Sequence, residues 1–226
     1  MNSPAALSPE KEILMTTPDS IEPARFWEDR YRKCGRVWSG EPNELLVREA
    51  GNLAPGSALE LGCGEGADAL WLASWGWQVT AVDISTTALR RAAAQAIELG
   101  LSGRVTFQHH DLGQTFPGGN FDLVAAQYLQ SPVALNQTAI LRQAARAVAP
   151  GGTLIITMHA GWPTWSSAAQ QPADVAFPTL EGLLTALALP PAWKVDTLAS
   201  VRRPAPSPEG CTGTRTDHVW RLTRTT

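Results

Sequence analysis

The sequence is poor in charged residues, which make up 17% of its 226 positions against roughly 25% in an average soluble domain. Its 18 basic and 21 acidic side chains leave a net charge of −3. A protein that neutralises many nucleic-acid phosphates needs a basic surplus. No run of adjacent basic residues is longer than the pair Arg202-Arg203. We therefore expect no nucleic-acid partner.

Cysteines and long apolar runs are also scarce. Cys34, Cys63 and Cys211 are too few and too scattered for a disulfide framework or a metal site, so we expect no metal. No run reaches the roughly 18 apolar residues of a membrane span. The first residues carry charges where a signal peptide would be apolar. These absences predict a cytoplasmic protein with no membrane partner, and they leave its oligomeric state open.

What the sequence does contain is a regular alternation of strand-like and helical segments. Strands are predicted over 57–62, 77–83, 105–110, 121–127 and 153–159. Helices are predicted over 22–34, 42–50, 66–76, 86–99, 136–149 and 179–188. We expect Pro150-Gly151-Gly152 to end the fifth helix. Strands that alternate with helices in this way are typical of parallel βαβ units.

The last third of the chain breaks this alternation. Two strand-like runs, 193–203 and 216–224, are joined by the Pro/Gly-rich segment 204–213. Parallel neighbours would need a crossover helix between them, and none is present. The expected fold class is therefore α/β, a mostly parallel sheet with an antiparallel hairpin at one edge.

A glycine-rich turn follows the first predicted strand. Glu60 precedes Gly62, Gly64 and Gly66, and a helix begins directly afterwards. Glycines there allow a tight turn and the close approach of a ligand to the main chain, and the helix N-terminus offers unpaired amides. Asp83 ends the next strand, where a carboxylate can accept hydrogen bonds from both hydroxyls of a ribose. The pattern predicts a nucleoside site.

The same turn also fits a dinucleotide-binding fingerprint, G-x-G-x-x-A, at Gly62, Gly64 and Ala67. Glu60 argues against that interpretation, because a carboxylate on the strand would repel a pyrophosphate and attract an amine. A nicotinamide-dependent oxidoreductase is the weaker alternative. A non-catalytic nucleoside-binding or partner-binding protein is a third.

Five segments, in order, resemble the motifs of class I S-adenosylmethionine-dependent methyltransferases. They are the E-x-G-x-G-x-G run, VTAVDIS, HHDL, NFDLVAAQ and APGGTLII, and together they span about residues 40–160. The resemblance implies S-adenosylmethionine as the cofactor. It also implies a Rossmann-like seven-stranded sheet with an antiparallel last strand and helices on both faces.

The resemblance assigns roles at the methionine end of the cofactor. Gly62, Gly64 and Gly66, called the glycine loop below, would border the methionine part. Glu60 would lie near its amino group or near water, and Gln127 would face the reactive sulfonium at the end of the fourth strand.

At the nucleoside end, the resemblance implies that Asp83 binds the ribose and that Ile84 flanks the adenine. Asp111 would contact the adenine amino group, with Leu112 beside it.

Aromatic residues before the first strand are similar to the lid of thiopurine and tellurite-resistance methyltransferases. They stand in the pattern Phe26-Trp27-x-x-x-Tyr31, followed by Trp38 and Glu41-Pro42. In that group such aromatics cover the cofactor. By this resemblance Trp27, Tyr31 and Trp38 are predicted to do the same here.

These features give an expected organisation of the chain. Residues 1–20 would be a flexible tail, and 21–226 a single methyltransferase domain. Its parts would be a helical lid (21–50), a cofactor-binding core (51–160), and a substrate-side loop with the C-terminal hairpin (161–226).

The methyl acceptor is the least determined part of the prediction. His159 ends the fifth strand, at the edge where open α/β sheets bind ligands, and is predicted as a substrate-facing base or donor. No N/D-P-P-Y-type run follows the fourth strand, which argues against methylation of nucleic-acid bases. We expect a small-molecule acceptor, a thiol or another soft nucleophile, with oxygen or nitrogen of a metabolite as the alternative.

Overall fold

The computed structural model describes residues 22–167, 171, 175–207 and 210–225. The tail predicted over 1–20 lies outside these residues. Within them the chain forms six helices and seven strands, in the order α1 (Pro23–Lys33), α2 (Glu44–Ala50), β1 (Ser57–Leu61), α3 (Ala67–Ser74), β2 (Gln78–Asp83), α4 (Thr86–Glu98), β3 (Val105–His109), β4 (Phe121–Gln127), α5 (Gln137–Arg146), β5 (Val148–His159), α6 (Leu180–Leu187), β6 (Trp193–Pro204) and β7 (Thr214–Arg224).

The seven strands form one sheet in the order β3-β2-β1-β4-β5-β7-β6. Strands β1 to β5 are parallel to one another, and β7 is antiparallel to both of its neighbours. The predicted mostly parallel, seven-stranded sheet with an antiparallel last strand is confirmed. The chain moves outward from β1 in one direction and from β4 in the other, so ligands are expected at the carboxyl ends of these two central strands.

Helices cover both faces of the sheet, because side chains of a strand alternate between the faces. One face packs against α5 and α6 through buried residues that include Ile140, Leu141, Leu187, Val124 and Ile156. The other face packs against α2, α3 and α4 through Leu46, Leu70, Ala96, Ala125 and Ile155. We call this second side the α2–α4 face, and the polar residues described below belong to it.

The fifth helix and the fifth strand differ from the prediction. Helix α5 ends at Arg146, and β5 already begins at Val148. Val148 pairs with Phe121 before the register shifts through a bulge, and a side chain at Gly152 would lie 3.0 Å from the Phe121 carbonyl oxygen. Pro150-Gly151-Gly152 therefore forms a bulge inside a strand instead of ending a helix, since the backbone of β4 approaches too closely for any side chain.

Helix α1 and the loop after it lie against α4. Tyr31, Val37 and Ala88 form a small buried cluster there, with Trp27 packed against it. This contact brings the segment predicted as a lid to the crevice end of the sheet.

Candidate active site

The glycine loop has a conformation that requires glycine. Gly62, Gly64 and Gly66 have φ values of +69°, +53° and +86°, a region that other residues seldom adopt. A side chain at Gly62 would lie 2.8 Å from Leu129 Cδ1, and one at Gly64 would lie 2.9 Å from Tyr31 Oη. The loop is thus enclosed both by the segment after β4 and by the lid.

Asp83 fixes the glycine loop to the end of β2. Its Oδ2 accepts a hydrogen bond from Gly64 N (2.8 Å), and its Oδ1 accepts one from Ser85 N (2.8 Å). Burial raises the pKa of Asp83, and these backbone hydrogen bonds oppose the rise. Each carboxylate oxygen keeps a further lone pair, so the side chain retains the capacity to accept hydrogen bonds from two ribose hydroxyls.

Three neighbouring strands carry buried polar side chains on the α2–α4 face with atoms that have no hydrogen-bond partner. The residues are Glu60 on β1, Gln127 on β4 and Thr157 on β5, exposed by 3%, 8% and 0%. Glu60 Oε2, both amide atoms of Gln127 and Thr157 Oγ1 are unpaired. Such atoms typically cost about 1–3 kcal/mol each when buried, so their grouping indicates a binding site.

The charge at Glu60 depends on its surroundings. Burial raises its pKa well above the usual value, and the nearby carboxylates Asp68 and Asp83 raise it further. A ligand amine beside Glu60 would relieve this repulsion and supply the missing donor. The side chain therefore fits the amino group that the resemblance assigns to it.

Tyr31 and Trp38 cover the glycine loop. Trp38 Nε1 donates to Tyr31 Oη over 2.9 Å, and a side chain at Gly64 would lie 2.9 Å from Tyr31 Oη and 3.1 Å from Trp38 Nε1. Glu65, which lies between Gly64 and Gly66, holds the lid in place. Its Oε2 accepts a hydrogen bond from Trp38 N (3.2 Å), and its Oε1 forms an ion pair with Arg91 (2.9 Å). Nothing in the sequence singled out Glu65, because its partner is the backbone of a distant segment.

The lid helix has a second anchor on α4. Glu28 accepts hydrogen bonds from Ser85 Oγ (2.7 Å), Thr87 Oγ1 (2.7 Å) and Thr87 N (3.1 Å). Burial opposes ionisation of Glu28, but hydrogen bonds from Thr87 and Ser85, helped by Arg32, lower its pKa to about 2. Trp27 Nε1 donates to Ser131 Oγ (3.3 Å) in the segment after β4. The lid thus spans from α4 to β4.

The residues assigned to the adenine lie at the ends of β2 and β3. Ile84 O accepts a hydrogen bond from His109 Nε2 (2.8 Å). Asp111 Oδ1 accepts from Gly113 N (2.9 Å), while Leu112 is buried in the core on the other face. Their roles toward the cofactor stay predictions.

His159 belongs to a polar cluster that the sequence did not reveal. Its Nδ1 donates to Asp217 Oδ1 (2.8 Å), and Arg215 Nη1 donates to its Nε2 (3.2 Å). Asp217 also accepts from Tyr128 Oη (2.8 Å) and pairs with Arg203. The Tyr128 ring lies 4.4 Å from the imidazole, centroid to centroid. We call these five residues the His159 cluster.

Burial lowers the pKa of His159, and the two arginines lower it further, against the opposing effect of Asp217. The ring is therefore neutral at pH 7, with its proton on the nitrogen that faces Asp217. For Tyr128 the direction is opposite: burial raises the pKa of its hydroxyl, and the nearby Asp217 raises it further. Tyr128 has a φ of +50°, a strained value for a residue other than glycine.

The partners of His159 come from the terminal hairpin. His159 is opposite Asp217 in the β5–β7 pairing, and Arg203 is opposite Arg215 in the β6–β7 pairing. Alternation in β7 places residues 215, 217 and 219 on one face, but only the register of the hairpin shows which residues of β5 they meet.

Neither a metal centre nor a membrane span is found in the described part of the chain. No group of three or more His, Cys, Asp or Glu side chains there is arranged to hold a metal ion. No helix among those residues is long and apolar enough to cross a membrane.

Residues 58–152 match a family model described as a methyltransferase domain. Among curated proteins, the chain is 39% identical to ribosomal RNA small subunit methyltransferase C of Alcanivorax borkumensis, over 31% of this chain and 22% of that protein. It is 35% identical to 2-heptyl-1-hydroxyquinolin-4(1H)-one methyltransferase of Mycobacteroides abscessus, over 53% of this chain and 54% of that protein. It is 32% identical to probable thiol methyltransferase 2 of Arabidopsis thaliana, over 43% of this chain and 45% of that protein. The chain spans between 22% and 54% of the length of these relatives.

Solved structures share the fold. One, from work on the conversion of a disulfide bond into a thioacetal group during echinomycin biosynthesis, has a TM-score of 0.68 and 22% identity over 89% of this chain and 93% of its own. TehB from Haemophilus influenzae has a TM-score of 0.64 and 16% identity over 88% of this chain and 67% of its own. The ordered motifs, the sheet topology and the family match over residues 58–152 together support a class I S-adenosylmethionine-dependent methyltransferase.

Proposed function

We propose that this protein transfers a methyl group from S-adenosylmethionine to a small-molecule acceptor. The observation that carries the proposal is the buried, half-unpaired carboxylate of Glu60 beside the glycine loop, at the reversal point of the sheet. When bound, the cofactor supplies an electrophilic methyl group on a positively charged sulfur. A carboxylate and aromatic rings suit such a cation, whereas a pyrophosphate would be repelled.

The residues of the chain would then position the reactants and exclude water. Asp83 would hold the ribose, Glu60 the amino group, and the Tyr31–Trp38 pair would close over the glycine loop. Alignment and water exclusion are what a displacement at carbon requires of its enzyme.

A thiol acceptor fits the His159 cluster best. Both ring nitrogens of His159 are already bonded within the protein, and His109 is bonded to the Ile84 carbonyl. A thiol ionises near neutral pH and needs little help from a base. The plant relative described as a thiol methyltransferase supports the same choice.

An oxygen acceptor is the second candidate, and a specific observation favours it. His159 is held neutral and oriented by a buried carboxylate, an arrangement that serves a general base. In this case Arg215 Nη1 would have to leave His159 Nε2 so that the imidazole could accept the acceptor's proton.

Calorimetry followed by a screen of acceptors tests the proposal. We expect S-adenosylmethionine and its demethylated product, S-adenosylhomocysteine, each to bind with a measurable heat. The bound protein should methylate thiophenol faster than phenol or aniline, as seen by mass spectrometry of the product. Absence of binding by both cofactor forms would refute the proposal, and a preference for phenol would favour the oxygen candidate.

A further inference from the structure

Gln127 and Thr157 face one another across adjacent strands. They are paired in the β4–β5 register, so their side chains lie on the same face of the sheet. Both are buried, and together they present three polar atoms without a partner: the amide nitrogen and oxygen of Gln127 and the hydroxyl of Thr157. The proposed function uses Glu60 and Asp83; Gln127 is predicted only to face the sulfonium, so these three polar atoms are given no hydrogen-bond partner.

The two side chains are uncharged, and both can donate and accept hydrogen bonds. An amide offers an NH2 donor group and a carbonyl acceptor side by side, and a hydroxyl can act as either. Glu60 lies on the same face, diagonal to Gln127 because it is opposite Ala125 in the β1–β4 pairing, and in its ionised form it would repel an anion placed here. A hydrogen-bonding group that is neutral and both donates and accepts would satisfy all three atoms.

The position of the pair relates it to the acceptor. Thr157 lies two residues before His159 on the same face of β5, between the crevice of β1–β4 and the His159 cluster. Gln127 is the residue assigned to the sulfonium region, and an acceptor must reach that region for in-line transfer.

On this basis, and resting on the proposed function, we propose that Gln127 and Thr157 form a specificity subsite that binds a neutral carboxamide-like or lactam-like group of the methyl acceptor. Thr157 is then a residue that determines which acceptor is bound. Its hydroxyl stays unpaired in the free protein because its partner arrives with the ligand.

Binding to the S-adenosylhomocysteine complex tests this subsite without turnover. The probes are thiophenol, the three isomeric mercaptobenzamides and the three mercaptobenzoates, which share the nucleophile and differ in the added group. We expect at least one mercaptobenzamide to bind at least about tenfold tighter than thiophenol, a difference that one or two neutral hydrogen bonds can supply. The mercaptobenzoates should bind no tighter than thiophenol.

Thr157→Val removes the hydroxyl at nearly constant volume and should reduce the carboxamide preference to near one, while Thr157→Ser should restore it. Gln127→Met is a second variant with the same expected loss. Thr153→Val, a buried threonine on the same strand and face but far from the crevice, should keep the wild-type preference. Since it removes an unpaired buried group, Thr157→Val should also raise the Tm of the free protein by about 2–4 °C.

Three results would overturn the subsite. They are no carboxamide preference in the wild type, a lower Tm for Thr157→Val, or variants that lose affinity for S-adenosylhomocysteine to the same degree as for the mercaptobenzamide. The last would show that the pair serves the cofactor. Failure of S-adenosylhomocysteine itself to bind the wild type would instead refute the proposed function, so the two failures are distinguishable.

Discussion

At the scale of single residues, Asp83 has one observed role and one proposed role. It holds the glycine loop through Gly64 N, and we propose that it also binds the cofactor ribose. We expect Asp83→Asn to weaken S-adenosylmethionine binding at least about tenfold, because hydrogen bonds to a charged group contribute about 1.5–3 kcal/mol. Calorimetry measures the change.

Asp122→Asn is the matched control for this substitution. Asp122 also accepts a backbone hydrogen bond, from Ser57 N over 2.8 Å, but at the opposite end of β1. The Asp122→Asn substitution should alter the stability of the fold without altering the affinity for the cofactor. Equal losses of affinity in the two variants would show that Asp83 acts only through the fold.

His159 allows the two acceptor classes to be separated. If the acceptor is a thiol, His159→Gln should lower kcat/KM with thiophenol by less than about tenfold, because no base is required. With phenol the loss should reach about 100-fold or more, the usual contribution of a general base. His109→Gln, at the end of β3, is the control and should affect both reactions alike. A 100-fold loss with thiophenol would contradict the thiol proposal.

At the scale of elements, one ionised side chain contributes to the docking of α1 on α4. The pKa of Glu28 is lowered from 4.5 to about 2, so its stabilising effect is fully present above pH 4.5 and is lost as the pH falls through 2. We expect Glu28→Gln to lower the free energy of unfolding at pH 7 by about 1.5–3 kcal/mol. The difference from the wild type should shrink between pH 4.5 and pH 2.

Urea unfolding at several pH values measures this difference. Asp29→Asn is the control, since Asp29 is the next residue of α1 and is half exposed, with Arg25 3.8 Å away. It should change the free energy of unfolding by less than about 0.5 kcal/mol at any of these pH values. A pH-independent difference for Glu28→Gln would indicate that packing, and not charge, holds the helix.

At the scale of the whole molecule, a bound cofactor should stabilise the fold as a unit. At 100 times its Kd, S-adenosylhomocysteine should add about 2.7 kcal/mol, which corresponds to a rise in Tm of about 5–10 °C. Reduced nicotinamide adenine dinucleotide at the same concentration should leave the Tm unchanged, because Glu60 disfavours a pyrophosphate. A shift with the dinucleotide alone would favour the oxidoreductase alternative.

The sequence was sufficient for the sheet, and the site residues it indicated stay predictions. The apolar runs predicted all seven strands, and the glycines with Asp83 indicated where a nucleoside would lie. The boundary of α5 was wrong, because the close approach of β4 to Gly152 depends on tertiary contacts. Thr157 and Asp217 were missed for related reasons: a threonine in a strand is unremarkable as a strand former, and the partner of His159 depends on the hairpin register.

The reversed direction of β7 has a practical consequence. Because β7 enters at Thr214 beside the crevice and runs back to Arg224, Thr225 lies at the amino-terminal edge of the parallel strands, away from Asp83 and the glycine loop. A fluorophore or surface linker attached at position 225 would thus leave the entrance to the crevice unobstructed. Immobilised samples prepared in this way suit kinetic measurements of cofactor exchange.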